Sequence, residues 1–240
     1  MAYRTGDTAF TSAIAGTLTS GSLTSVTGDV AVIFWTTGQA HPVSSFSDSL
    51  GNTWSQPSGS PYGLGGSTGY IYCYVSALAN VGAFTITINV SGGSNYIVMN
   101  RTLYSGRAAS SFLDGTLGTF VDTGFVQSHV GPAITTSLAG SDVVGCMFES
   151  GSAGGSTAVD TFTAGTGFTQ AVAFNGSGSV TSPLMTQYRA NSAAGTYTGG
   201  CTTVNFVEAS GVIIALAAAT PSGGASAAGG LDGGLNGGFQ

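Results

Sequence analysis

The chain has 240 residues, of which 42% are hydrophobic, 6% are charged and 40 are glycine; its four basic residues include no lysine, and its formal net charge is −6. That apolar content argues against disorder, which combines low hydrophobicity with high net charge. Four scattered arginines on an acidic chain offer no basic patch for a phosphate backbone or an anionic membrane surface, so neither nucleic acid nor membrane is an expected partner.

Abundant glycine between short β-branched and aromatic runs predicts many strands joined by turns, and so an all-β fold. The first twenty residues lack the positive region and sustained apolar core of a cleaved secretory signal. They form a polar lead with a short strand expected over 9–14, and residues 23–26 begin the first repeat. The first core strand is expected at 30–35, where the apolar run Val30-Ala31-Val32-Ile33-Phe34-Trp35 has the length and composition of a strand buried on both faces. Residues 43–46 and 53–56 bracket a tight turn at Asp48-Ser49-Leu50-Gly51-Asn52, where Gly and Asn readily take positive φ. A Gly/Pro/Ser loop covers 57–68, and an aromatic-rich strand follows at 70–75. Residues 84–90 alternate, with Phe84, Ile86, Ile88 and Val90 set against Thr85, Thr87 and Asn89, which predicts a strand with one wet face. Residues 96–104 close this first half.

The second half repeats the first. Gly28-Asp29 before its apolar run has a counterpart in Ser141-Asp142 before Val143-Val144-Gly145-Cys146-Met147-Phe148, an offset of 142 − 29 = 113 residues. Tyr74 falls opposite Tyr188, and Ala79-Asn80-Val81-Gly82-Ala83-Phe84-Thr85 falls opposite Ser192-Ala193-Ala194-Gly195-Thr196-Tyr197-Thr198. Such a repeat sets the domain plan: one sandwich over 1–219, with halves at about 22–106 and 133–219 and a connector at 107–132. An edge strand is expected in the connector near 117–125. Strands are expected in the second half at 142–148, 168–174, 184–188, 197–204 and 207–218, with a loop at 150–157. At the 113-residue offset Cys146 replaces Ile33 and Cys201 replaces Ile88, so these cysteines read as buried free thiols.

From residue 220 the composition changes. The segment 229–240 reads Gly-Gly-Leu-Asp, Gly-Gly-Leu-Asn, Gly-Gly-Phe-Gln. A Gly-rich sequence of this kind is flexible in isolation. Leu231, Leu235 and Phe239 recur as candidate anchors of an assembly arm that would pair its backbone with a neighbour.

Chemistry is sparse. There are two His, His41 and His129, and two Glu, Glu149 and Glu208. Neither a nucleophile elbow nor a metal-ligand spacing occurs, and no cofactor is expected. Asp48, Glu149 and Asp160 are the carboxylates that a glycosidase reading would have to use, but Glu149 falls opposite Thr36 in the repeat, and no enzymatic activity is expected. Tyr62, Tyr70 and Tyr72 could form a sugar-stacking platform; the plainer reading is that they are sheet-face aromatics, which strands favour.

The succession Ser47-Asp48-Ser49-Leu50-Gly51-Asn52-Thr53-Trp54, then the run from Ala79 to Gly93, then Leu103-Tyr104-Ser105-Gly106, resembles a β-sandwich module of bacteriophage structural proteins and bacterial surface proteins. The resemblance implies an antiparallel, jelly-roll-like sandwich used as a virion decoration, fibre or tail component. Expected partners are other virion proteins such as the major capsid protein, and further copies of the chain, with a trimer suited to a capsid lattice. The resemblance carries over no functional residue. The expected function is therefore assembly within a virion built in the host cytoplasm; the alternative is a carbohydrate-binding or adhesin module.

Overall fold

The computed structural model describes residues 3–11, 15–37, 43–63, 70–94, 96–152, 160–176 and 183–219. The described residues form an all-β protein without helices. The first half contributes β1 (Tyr3–Thr11), β2 (Ala15–Thr19), β3 (Leu23–Thr24), β4 (Asp29–Thr37), β5 (Val43–Asp48), β6 (Tyr62–Gly63), β7 (Tyr70–Ala77), β8 (Ala83–Phe84), β9 (Ile86–Ser94) and β10 (Ile97–Ser105). The second contributes β11 (Gly118–Thr136), β12 (Ser141–Ser152), β13 (Thr163–Ala164), β14 (Thr169–Phe174), β15 (Leu184–Ser192) and β16 (Gly195–Leu216).

A sheet of order β1-β10-β4-β7-β6 lies at the centre, and every pairing in it is antiparallel. Because side chains alternate across a strand, β4 sends Val30, Val32 and Phe34 to one face and Ala31, Ile33 and Trp35 to the other. The first set packs with Val144, Cys146, Phe148, Val212 and Ile214 of the second half. The second set packs with Leu18, Phe84, Ile86 and Ile88 of the three-stranded sheet β2-β9-β5 and its neighbour β8. Apolar neighbours on both sides explain why all nine residues of β4 are buried and why the run is continuous. Gly28, at φ +85°, makes the turn into β4 that an L side chain would strain.

The second-half sheet has the order β11-β16-β12-β15-β14, which matches β1-β10-β4-β7 strand for strand. Its far face is covered by its own ribbon. The early part of β16 pairs with the late part of β11 (His129↔Cys201, Ile134↔Tyr197), while the later part of β16 pairs with the early part of β11 (Thr119↔Val212) and with β12. Register breaks between Asp122 and Ser128 let this ribbon bend over the sheet. Met147, Phe162, Met185 and Cys201 fill one end of the space beneath it, and Ile134, Val143, Ile213 and Ala215 the other.

The structure departs from the sequence reading in several places. The lead expected to be polar with one short strand at 9–14 holds β1 (Tyr3–Thr11) and β2 (Ala15–Thr19), and β12 extends to Ser152, into the loop expected at 150–157. The edge strand expected near 117–125 is present but does not stop there: β11 runs on through the rest of the connector to Thr136, 19 residues paired with β16 across three register breaks. The two late strands expected at 197–204 and 207–218 are one strand, β16. The repeat offset in the first core strand is also off by one. Cys146 shares the inter-half core with Phe34, whereas Ile33 faces the opposite way; the equivalent of Cys146 is therefore Phe34, at 146 − 34 = 112. A shift of one residue exchanges the two faces of a strand, and the matching Asp residues had masked it.

The halves also meet through polar groups. Asn100 on β10 donates Nδ2 to the Leu184 carbonyl (3.0 Å) and to Thr186 Oγ1 (3.3 Å), and its Oδ1 accepts Thr8 Oγ1 (2.8 Å). Tyr3 stacks on Tyr188 with centroids 4.9 Å apart. Gly6 is required at this junction, since a Cβ there would lie 2.6 Å from Val172 Cγ2 and 2.5 Å from the Arg101 carbonyl oxygen.

Candidate functional site

Most acidic side chains are already engaged in holding the fold. Asp48 accepts from the backbone N–H groups of Leu50 (2.7 Å) and Asn52 (3.0 Å) and from Trp54 Nε1 (2.6 Å). Asp160 accepts from the N–H groups of Thr161, Val204 and Asn205. Asp29 receives Arg4 and the Val26 N–H, Asp7 pairs with the buried Arg101, and Arg107 pairs with Asp142. Two of the three carboxylates that a glycosidase reading would need are thus turn-binding groups.

The third, Glu149, is different. It projects from β12 into the second-half core, 5% exposed, and its Oε2 has no hydrogen-bond partner. Desolvation, and secondarily the Asp160 carboxylate, pushes its acid up to about 8. His129 is also buried; its Nδ1 lies 3.1 Å from Asp122 Oδ2, and its Nε2 is unpartnered. It stands opposite Cys201, whose thiol is raised to about 12 by burial and by Asp160. A thiol held so far above neutrality is not a nucleophile. Among the described residues no group of three or more His, Cys, Asp or Glu converges as a metal site does. All three cysteines are free and buried.

The tyrosines expected as a platform are divided by the sheet. Tyr62 packs toward the inter-half core, whereas Tyr70 and Tyr72 face the first-half core. Tyr72 is buried and stacks on Trp35 at 4.0 Å. Next to it a cleft of about 480 Å³ is lined by Val43, Phe46, Gln56, Tyr72 and Tyr74. Within that cleft the Tyr74 ring lies flat on Phe46, with centroids 4.0 Å apart, so one face of each ring is already covered. Leu231, Leu235 and Phe239 lie outside the described residues.

The surface feature that stands apart is the elbow where the β11–β16 ribbon bends. Val126 pairs with Val207 and Ser128 with Thr202, so residues 203–206 bulge out of the ladder. Asp160 holds this bulge through the Val204 and Asn205 N–H groups, and Gln127 Nε2 donates to the Val204 carbonyl. In the bulge Val204 is 65% exposed and Phe206 57%, and on β11 Val130 is 72% exposed and Phe125 46%. Single apolar residues are ordinary on a surface, and it is their number along this one ribbon that sets the bend apart. The sequence held a signal for this elbow that periodicity does not catch. Phe125-Val126 and Val204-Asn205-Phe206 are apolar pairs set among Gly, Asp, Thr and Ser, out of step with both flanking strands.

Searches against family models, curated proteins and solved structures find no match to this chain.

Proposed function

We propose that the protein is a non-enzymatic structural component of a virion, a capsid decoration or cement protein, that works by binding further copies of itself and neighbouring coat subunits. The observation that carries the reading is the apolar elbow of Phe125, Val126, Val130, Val204 and Phe206, held outward by a bulge that Asp160 fixes. Elsewhere the carboxylates and arginines are used to close turns and join strands, which suits a molecule whose task is to keep its shape. Exposing aromatic and β-branched side chains at a rigid bend is favoured only where a partner covers them.

The test is the double variant Val204→Ser/Phe206→Ser. Both side chains face solvent, so the fold should survive. Light scattering should show the native chain as an oligomer and the variant as a smaller species, and the variant should lose binding to particles that lack this protein. A native chain that is monomeric and ignores such particles would sink the reading.

One observation favours a second reading, a carbohydrate-binding or adhesin module: the aromatic cleft beside Phe46, Tyr72 and Tyr74. It requires glycan affinity that falls on Tyr74→Ala and is indifferent to the elbow variant.

A further inference from the structure

Three of the four arginines are engaged within the chain: Arg4 pairs with Asp29, Arg101 with Asp7 and Arg107 with Asp142. Among the described residues Arg189 alone has no carboxylate partner, and it is exposed on β15. Its guanidinium is nonetheless held in place. It lies over the Tyr197 ring at 4.8 Å. Tyr197 is fixed in turn by its hydroxyl, which donates to the Ala193 carbonyl (2.7 Å). Gly167 leaves the space for this stack, since a Cβ there would lie 2.8 Å from Arg189 Nη1. A guanidinium laid on an aromatic ring keeps its planar edge for a carboxylate, which it grips through two parallel hydrogen bonds.

The carboxylates show the converse. Apart from the enclosed Glu149, each described aspartate is engaged by an arginine, by His129 or by turn N–H groups. Among the described residues Glu208 alone is a partly exposed carboxylate with neither hydrogen bond nor ion pair. It stands on β16 two residues beyond Phe206, at the margin of the exposed bend. A charge beside an apolar centre is the arrangement of an interface and its rim. Arg189 and Glu208 cannot meet within one chain. Arg189 is level with Val143 of β12 and Glu208 with Gly151, 151 − 143 = 8 residues or about 26 Å along the strand. They also lie on opposite faces of the sheet. Arg189 is in step with Met185 on the ribbon side, whereas Glu208 is in step with Val212 on the inter-half side.

We infer that Arg189 of one copy binds Glu208 of the next, so that the exposed bend of one protomer is seated beside the Arg189–Tyr197 stack of its neighbour. The occupant is a second copy because this chain supplies both members of the ion pair, one of each. Two copies of net charge −6 otherwise repel, and the described surface offers no second unengaged arginine to offset that. A two-fold contact would need both patches on one surface. On opposite faces they give a head-to-tail contact, which closes into a ring where the rotation allows. The ion pair sets orientation and register, and the apolar side chains of the bend supply the burial. The inference rests on the assembly reading and names the second surface of its contact.

A charge-exchange series in the full-length chain tests it. Arg189→Glu, Glu208→Arg and the two combined are compared with the native chain by sedimentation velocity over a range of concentrations. Both side chains lie outside the core clusters, and circular dichroism shows whether each variant is folded. Each single exchange brings like charges together and should weaken self-association by about tenfold or more. The double exchange re-forms the pair and should return association to within about threefold of native. Arg189→Gln and Glu208→Gln repeat the comparison without introduced repulsion; each should weaken association, and the two combined should lose no more than either alone. Should a charge exchange unfold the chain, the glutamine series decides, and losses that are additive or absent overturn the inference. Single exchanges that associate as the native chain does, or a folded double exchange no better than the singles, overturn it while native assembly stands. A native chain that is monomeric throughout overturns it together with the assembly reading.

Discussion

A carboxyl group enclosed at position 149, with one oxygen unpartnered and a second carboxylate nearby, is a source of pH dependence. In the unfolded chain it titrates at about 4.3, and in the fold at about 8. Between those values the native state binds the extra proton, so stability falls as pH rises through that window and is level on either side of it. Glu149→Gln removes the slope. Near the ordinary glutamate pKa the two proteins should unfold at similar urea concentrations. Above about 8 the variant should be the more stable, by on the order of 2–5 kcal/mol. Parallel pH profiles would show that the carboxyl group is not buried as described. Little of this was legible beforehand: Glu149 closes an apolar run in the sequence, and only the fold of the ribbon over β12 reveals that the charge points inward. Cys146 was easier, because a residue that alternates with Val144 and Phe148 in an apolar strand is a core residue whichever offset is chosen.

At the scale of elements, single aspartates set the turns. Asp114 precedes β11 yet accepts from Ser137 N (2.9 Å), Ser137 Oγ (2.7 Å), Leu138 N (3.0 Å) and Ser141 Oγ (2.8 Å), which fixes the turn from β11 into β12. Burial raises its pKa, but the four donated hydrogen bonds outweigh burial and hold it below the usual carboxylate range. The stabilisation is present above the ordinary Asp pKa and is lost as pH falls through the lower folded value. Asp114→Ala should cost about 2–4 kcal/mol in chemical denaturation, since it removes four hydrogen bonds to a charged acceptor and orphans the buried Ser141 hydroxyl; a change within about 0.5 kcal/mol, the range of ordinary surface substitutions, would mean that the turn is held by other contacts. Strand β4 was readable because apolar neighbours on both faces impose an unbroken apolar run. β11 was readable only in part: an edge strand was expected near 117–125, but not its continuation to Thr136. It is an edge strand with three register breaks, and Gly, Asp and Pro sit where its ladder is interrupted, so no period of two survives. Asp48 shows a third case: its turn was legible as local chemistry, while the Trp54 Nε1 bond that ties it to an aromatic appears only in three dimensions.

For the whole molecule, the central sheet decides how the chain unfolds. Its strands β10, β4 and β7 bury apolar side chains on both faces, one face shared with the β2-β9-β5 sheet and the other with the second half. Separating the halves would expose Val30, Val32, Phe34, Ile71, Val75 and Val98 together, at about 1.5–3 kcal/mol for each large side chain. It would also strand Asn100, whose amide is satisfied by Leu184 and Thr186 across the junction. The two halves share a strand order, yet neither carries a complete surface of its own. Calorimetry of the full chain should therefore give one transition, with equal van't Hoff and calorimetric enthalpies. Residues 1–106 expressed alone should aggregate, because the exposed face exceeds what a soluble monomer normally tolerates. Two resolved transitions, or a soluble monomeric first half with native circular dichroism, would mean that the inter-half core is an interface between independent domains and not the centre of one. A single transition would extend to the elbow too: its bulge is held by Asp160 within the same cooperative unit, so the exposed bend should persist until the whole chain unfolds.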